Sequence, residues 1–379
     1  MSESSENDSG QLMRPRPNIY SEGENKILLF ADKLERWRGG DIGFAPVTLE
    51  IQPTERCNHR CPSCQAIYAI SKKDVRRLAK AGGDLDFRLL DGVWRTPPDG
   101  IVISGNTGDP LMHPDIGELL MTAHRHDIPT ALITNGEAFT ESVARQAIEC
   151  CRGIRISLDA HDASSFLMTH GVGEASWKSV LENIRMLVSV RSQSGVGREK
   201  CLIGVGYLTD HRTRNNMVDA ARLAKSLGVD YIQFRPFHFK AEDIDAEINE
   251  CVSLEEPPTF RVFDSRQKYA RIRRPGRSYG SCQGASFYTV LDSHGDLYMC
   301  CHHVGRPEAR LGSLRETSWT EWLESESRKA KIADFDLSGC IPLCRLHTHN
   351  ERLERIRTGA ETEMAADLSE EVKRHAVFL

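Results

Sequence analysis

VTLEIQPTERCNHRCPSC, residues 47–64, sets a short β-rich run directly in front of three cysteines, Cys57, Cys61 and Cys64. The opening VTLEI (47–51) has the branched residues that suit a pleated sheet. The chain then enters a loop in which three and then two residues separate successive cysteines. That spacing folds one loop around one metal centre. Three thiolates from a short loop can hold three irons of a 4Fe-4S cluster and leave the fourth iron open to a ligand. The alternative is a zinc knuckle, which requires a complete tetrahedral set, and His59 inside the loop is the residue able to complete it.

Outward from this stretch, β-rich runs alternate with amphipathic ones. IVIS (101–104), TALIT (130–134), IRISL (154–158), LIGVGYL (202–208) and YIQF (231–234) bring the expected strands to six. Helical spacing marks 115–126, 140–151, 176–190 and 215–228, the last ended by Gly228, and Asn25 to Trp37 reads as a helix ahead of the first strand. Strand–helix repetition implies an α/β fold with a parallel sheet. Six units fall short of a complete eight-fold barrel, so the sheet is either an open, partial (β/α)6 barrel or a doubly wound layer.

The remaining chain is organised differently. Residues 1–45 read as a flexible, polar lead followed by the helix, and 46–240 as the α/β core. Residues 241–281 read as a connector, and the basic RQKYARIRRPGR (266–277) within it as a solvated face in preference to a phosphate site. Residues 282–350 form a small cysteine-bearing unit, and 351–379 a C-terminal tail. In that unit SFYTVLD (286–292) and DLYMC (296–300) make a hairpin turned by Ser293, His294 and Gly295, followed by a helix near Trp319 to Ala330. Twelve residues separate Cys282 from Gly295 and four more precede Cys300, while Cys340 and Cys344 return in GCIPLC. Four thiolates make a closed site, as a 4Fe-4S cluster or a structural zinc would require. Cys301 is spare, because neighbouring strand residues face opposite ways.

Composition bounds the function. The 379 residues carry 49 Lys plus Arg and 54 Asp plus Glu, a formal charge of −5, which argues against bulk binding to nucleic acid or anionic membrane. No apolar run approaches the roughly 18 to 20 residues of a membrane span. A cytoplasmic protein is expected, and its twelve cysteines then signal metal or catalysis instead of disulfides. Cys150, Cys151, Cys201 and Cys251 lie outside both sets and are expected to be small buried hydrophobes.

The Cys57–Cys61–Cys64 loop after the first strand of a six-fold βα pattern resembles the radical S-adenosylmethionine superfamily, although Ser63 stands where that family usually has an aromatic residue. The resemblance implies a partial barrel and an open iron that chelates S-adenosylmethionine. It also implies reductive cleavage of that cofactor to a 5'-deoxyadenosyl radical, which abstracts a substrate hydrogen. Gly105 to Pro110 occupy the place of the family's glycine-rich, acid-ended turn, which makes Gly108 and Asp109 the candidates for the methionyl ammonium. Ser157 and Asp159 match the polar strand end that touches the ribose or carboxylate. Gln233 and Arg235 end the sixth strand at the rim, where Arg235 would bind a substrate anion or close an ion pair.

The second set, Cys282, Cys300, Cys340 and Cys344, resembles the twitch or SPASM extension of the same superfamily and implies one auxiliary 4Fe-4S cluster. Its similarity to sugar and aminocyclitol dehydrogenases implies oxidation of a carbinol to a ketone, with flavodoxin or ferredoxin as electron donor. The alternatives are maturation of a ribosomal peptide and a redox-neutral sugar epimerisation in which Cys301 donates hydrogen. A non-enzymatic iron-sulfur or zinc module is the third.

Overall fold

The computed structural model describes residues 23–64, 72–237, 241–273, 276–360 and 368–379; the polar lead at 1–22 lies outside them. All six expected strands are present: β1 Thr48–Ile51, β2 Gly100–Ile103, β3 Thr130–Thr134, β4 Cys151–Ser157, β5 Leu202–Thr209 and β6 Tyr231–Pro236. They pair in parallel and in strict sequence order. A doubly wound sheet reverses direction at a switch point, so uninterrupted order selects the partial barrel. Right-handed crossovers that all step the same way leave the helices on one face. Accordingly Ile116–Arg125 packs on Glu141–Cys150, which packs on Glu174–Ser194.

The expected helices form near their predicted bounds, with local exceptions that have local causes. Asn25 to Trp37 is broken at Phe30, between a short turn and the helix Ala31–Arg38. The span near Trp319 to Ala330 splits at Ser325, whose side chain caps a second helix, Glu326–Asp334.

Residues 241–281 are more than a linker. They contribute the helix Asp245–Ser253, a seventh parallel strand β7 (Arg261–Phe263) beside β6, and the helix Arg266–Arg273. That last helix buries Tyr269 and turns Lys268 and Arg271 toward the barrel's interior cavity, so among the described residues the basic stretch is a solvated face only in part, at Arg273 and Arg277. The chain then crosses to the other edge of the sheet, where β8 (Tyr288–Leu291) pairs in parallel with β1. Strands β9 (Asp296–Tyr298) and β10 (Arg310–Ser313) follow in antiparallel, the first of them closing the expected hairpin. Residues 351–379 include most of the helix His347–Arg357 and a segment, 368–379, seated against the starts of β1 and β2. There the Thr48 hydroxyl donates to the Val377 carbonyl at 2.7 Å, and Val377 fills the space beside Gly100. No helix among the described residues is long and apolar enough to cross a membrane.

Alternation within the strands divides core from cavity. On β4, Ile154 and Ile156 are fully buried, while Gly153, Arg155 and Ser157 line the interior. The four spare cysteines, Cys150, Cys151, Cys201 and Cys251, sit in the apolar core as expected. One polar anchor pins the helical layer to the sheet. Asp230, at the start of β6, accepts from Arg191 of the helix Glu174–Ser194, from Arg198 at 2.6 Å and from the Ile203 amide at 2.7 Å. Removing one partner of such a buried pair strands the others without counter-charge. Asp230→Ala is therefore expected to lower the unfolding free energy by about 3–5 kcal/mol, read as a drop in the denaturant midpoint. An unchanged midpoint would contradict this placement.

Candidate metal and cofactor site

The cysteine loop is held from several sides by its own backbone. The Glu55 amide donates to Gly83 and the Cys57 amide to Ala79, the Arg60 amide donates to His170, and the Arg56 carbonyl accepts from Asp109. Two glycines permit this seating. A Cβ on Gly108 would lie 2.1 Å from the Thr54 carbonyl oxygen, and one on Gly171 (φ +68°) would lie 2.5 Å from that of Arg60. Gly105 turns the chain so tightly that a Cβ there would meet the Gly108 oxygen at 1.8 Å. The residue pattern that suggested a ligand-binding turn thus serves first to press the loop after β1 against the loop after β2.

The three thiols of this loop are electrostatically coupled. Burial, with the nearby Asp109 carboxylate, pushes the Cys57 thiol up to about 12, and burial with Cys64 and Cys57 raises Cys61 well above its usual value. Buried thiols that oppose one another's ionisation suit a cation that makes all of them thiolates. Zinc would draw its sulfurs to about 3.8 Å apart. Among the described residues the one trio of ligand atoms lying within 4.8 Å of each other is His59, Cys61 and His170, which holds a single cysteine of the three. His59 is not a spare ligand either: its Nε2 lies 2.7 Å from Glu137 and its Nδ1 3.1 Å from His170. Burial, with His170 beside it, pushes the His59 imidazole down to about 3, so the ring is neutral. The wider cage of a 4Fe-4S cluster fits this loop better than zinc.

The predicted cofactor contacts divide. Asp109 is buried, and its carboxylate accepts from the Leu111 amide, the Thr134 hydroxyl and the Asn135 amide, at 2.6 to 3.0 Å. It caps the turn Pro110–Met112 and ties it to β3, instead of facing the cavity. Asp159 likewise spends one oxygen on the Leu208 amide at 2.6 Å, bridging the ends of β4 and β5. Gly108 lies under the cysteine loop, off the cavity wall, whereas Ser157 lines it. Asn106, which sequence reasoning passed over, lines the cavity, is buried, and has a side-chain oxygen without a hydrogen-bond partner. Its carbonyl lies 3.3 Å from the Cys64 sulfur. An orphaned acceptor beside the loop fits an ammonium group, which is what S-adenosylmethionine would present. The signal in the sequence was its polar type at the end of β2. Ser63 also faces the cavity and accepts from Arg212 at 3.1 Å.

The second cysteine set gathers at the other side of that cavity. Each of Cys282, Cys300, Cys340 and Cys344 has its thiol raised by burial and by at least one other member of the set. Asn350 reaches the Cys282 sulfur at 3.5 Å, His303 lies 3.7 Å from that of Cys340, and Arg277 donates to the Cys340 carbonyl. Cys301 turns away from Cys300 into the cavity wall, together with Cys344. The cavity has a volume of about 370 Å³. Across it, Glu50 of β1 accepts from Ser104 and Gln52 and meets both Arg345 and the Tyr288 hydroxyl. Burial raises the Glu50 carboxyl, but Arg345, Ser104 and Tyr288 outweigh it and hold the group below its usual value. Arg235 lines the cavity as the strand pattern predicts, while Gln233 is fully buried and accepts from Arg155 at 3.0 Å.

Comparison with known proteins agrees with this geometry. The Radical SAM superfamily matches residues 51–212. The tungsten-containing aldehyde ferredoxin oxidoreductase cofactor-modifying protein of Pyrococcus furiosus is 24% identical over 189 residues, 48% of this chain and 49% of that protein. The dTDP-4-amino-4,6-dideoxy-D-glucose ammonia-lyase of Streptomyces venezuelae is 24% identical over 241 residues, 61% and 47% of the two chains. The chain therefore spans about half the length of the curated relatives it matches. In fold it is similar to SuiB of Streptococcus suis bound to S-adenosylmethionine, with a TM-score of 0.59 at 14% identity over 89% of this chain and 79% of that one. The cofactors that follow from the match are a 4Fe-4S cluster and S-adenosylmethionine. Residues 51–212 of this chain are thus similar to the radical S-adenosylmethionine superfamily.

Proposed function

We propose that the chain is a radical S-adenosylmethionine oxidoreductase that converts a carbinol of a sugar or aminocyclitol to a ketone, using a second cluster in a twitch-like unit at 282–350. The observation that carries this reading is one cavity reached by both cysteine sets: Ser63 and Asn106 border it beside the first set, and Cys344 of the second set borders it together with the spare Cys301. The ammonia-lyase relative, whose name is that of an amino-sugar enzyme, supports the substrate class.

When bound, the first cluster supplies the electron that cleaves S-adenosylmethionine, and the second supplies an acceptor for the electron left on the oxidised substrate. The chain's own part is positional. Asn106 Oδ1 receives the cofactor's ammonium and Ser157 its ribose or carboxylate. Glu50 and Arg345 hold the Cys340–Cys344 loop against β1, which keeps the second set facing the substrate. Electrons enter from a flavodoxin or ferredoxin. A second reading is favoured by the Cys301 thiol on the cavity wall: hydrogen return to the substrate radical would make the reaction a redox-neutral epimerisation. Peptide maturation draws support from SuiB, which is also seen bound to its precursor peptide SuiA.

Replacing Cys57, Cys61 and Cys64 by Ala is expected to abolish 5'-deoxyadenosine formation in anaerobically reconstituted protein, while about four irons remain bound in the second set. Measurable cleavage by that variant would overturn the assignment. Cys340→Ala with Cys344→Ala is expected to leave uncoupled cofactor cleavage but no ketone product by mass spectrometry. Full product formation would remove the second set from the mechanism. Solvent deuterium in the product, lost on Cys301→Ala, would select epimerisation instead.

A further inference from the structure

The cavity wall is strongly cationic in a chain of net negative charge. Six basic side chains line it, Lys26, Arg155, Arg235, Lys268, Arg271 and Arg345, against one carboxylate side chain, that of Glu50. Glu50 is matched by Arg345. Lys26 donates to the Phe378 carbonyl at 3.2 Å, beside the seated segment 368–379. The other four come from β4, β6 and the helix Arg266–Arg273 and converge on one side.

The sheet register explains how they converge. Arg155 and Arg235 lie on the two strands that flank β5, paired with Gly204 and Leu208, and Gly206 of β5 lies between those two partners. A Cβ built on Gly206 would lie 3.6 Å from Arg155 Cδ and 3.7 Å from an Arg235 terminal nitrogen. With no side chain on Gly206, the Arg155 and Arg235 side chains can lie together over this point of β5. Arg155 gives one terminal nitrogen to Gln233 at 3.0 Å, and its buried Nε has no partner. Lys268 and Arg271 reach the same cavity from the helix, Arg271 also donating to the Cys344 carbonyl at 3.4 Å. Burial and then Arg235, Arg155, Arg345 and Arg271 all push the Lys268 ammonium well below its usual range. The charged groups that act most strongly on that ammonium are cations, so this corner of the cavity suits an anion.

We propose that the substrate carries a phosphate or diphosphate group, bound by Arg155, Arg235, Lys268 and Arg271. The assignment rests on the enzyme reading above and names the substrate class that reading leaves open. A carboxylate presents two oxygens in one plane and one charge. A phosphate presents three terminal oxygens and close to two charges, which suits donors arriving from two strands and a helix.

The test is anaerobic titration calorimetry of the reconstituted holoenzyme with inorganic diphosphate, with and without S-adenosylmethionine. Saturable one-to-one binding is expected. Arg155→Gln and Lys268→Gln are each expected to raise the Kd about tenfold or more, as loss of a charge-assisted hydrogen bond implies. Arg222→Gln, on the outer helix Met217–Ser226, should bind as the wild type does. Should Arg155→Gln fail to fold, as its circular dichroism and iron content would reveal, Lys268→Gln decides the matter. Absence of saturable binding overturns the proposal, as does an equal loss in Arg222→Gln or no loss in Lys268→Gln. Displacement of S-adenosylmethionine by diphosphate also overturns it, because the cations would then serve the cofactor's carboxylate. Formation of 5'-deoxyadenosine by the wild type, measured on the same preparation, tests the enzyme reading separately.

Discussion

A buried carboxylate fixes the relation between the two halves of this molecule. Glu50 sits on β1, and its oxygens are shared among Gln52 and Ser104 of the barrel and Tyr288 and Arg345 of the C-terminal unit. Four partners compensate the desolvation of one charge, and none of them works alone. Because Arg345 adjoins Cys344, and Glu50 lies seven residues before Cys57, this contact sets where one cysteine loop stands relative to the other. The chemistry proposed for the cavity depends on that spacing being fixed, since electron transfer out of a substrate requires a nearby acceptor.

The local parts of this design were legible. The strands β1 to β6 were readable because each is a short branched run bounded by turns, and the cysteine loop because metal chelation by one loop imposes a spacing that survives in the sequence. The seventh strand was not, since Arg261–Phe263 is three residues long and acquires its identity only by pairing with β6. The choice between a partial barrel and a doubly wound sheet also lay beyond periodicity. It is a matter of strand order, which long-range pairing alone determines.

The same division runs through the site. Asp109 had the right residue type in the right turn, but its partners Thr134 and Asn135 lie 25 and 26 residues on, and they consume its oxygens. The acceptor left facing the cavity is Asn106. Of the basic residues at 266–277, Arg273 and Arg277 are exposed as a solvated face requires, whereas Lys268 and Arg271 line the cavity because the helix that carries them buries Tyr269. Cys301, expected to face away from Cys300 by strand alternation, instead opens a short 3-10 turn, Cys301–His303, and lines the cavity.

Pairing of β8 with β1 carries a consequence for how the protein is made. Every other parallel pair joins strands adjacent in sequence order, whereas Thr48 of β1 meets Tyr288 of β8. During synthesis the outer edge of β1 therefore emerges early and waits for its partner until residues 288–291 have been released. In that interval it is an unprotected strand border able to recruit another chain. Loading iron into the first cysteine loop, directly downstream of β1, would occur on this unfinished border unless insertion is delayed until β8 has docked. The order of translation, folding and metal delivery is thus coupled at a single strand.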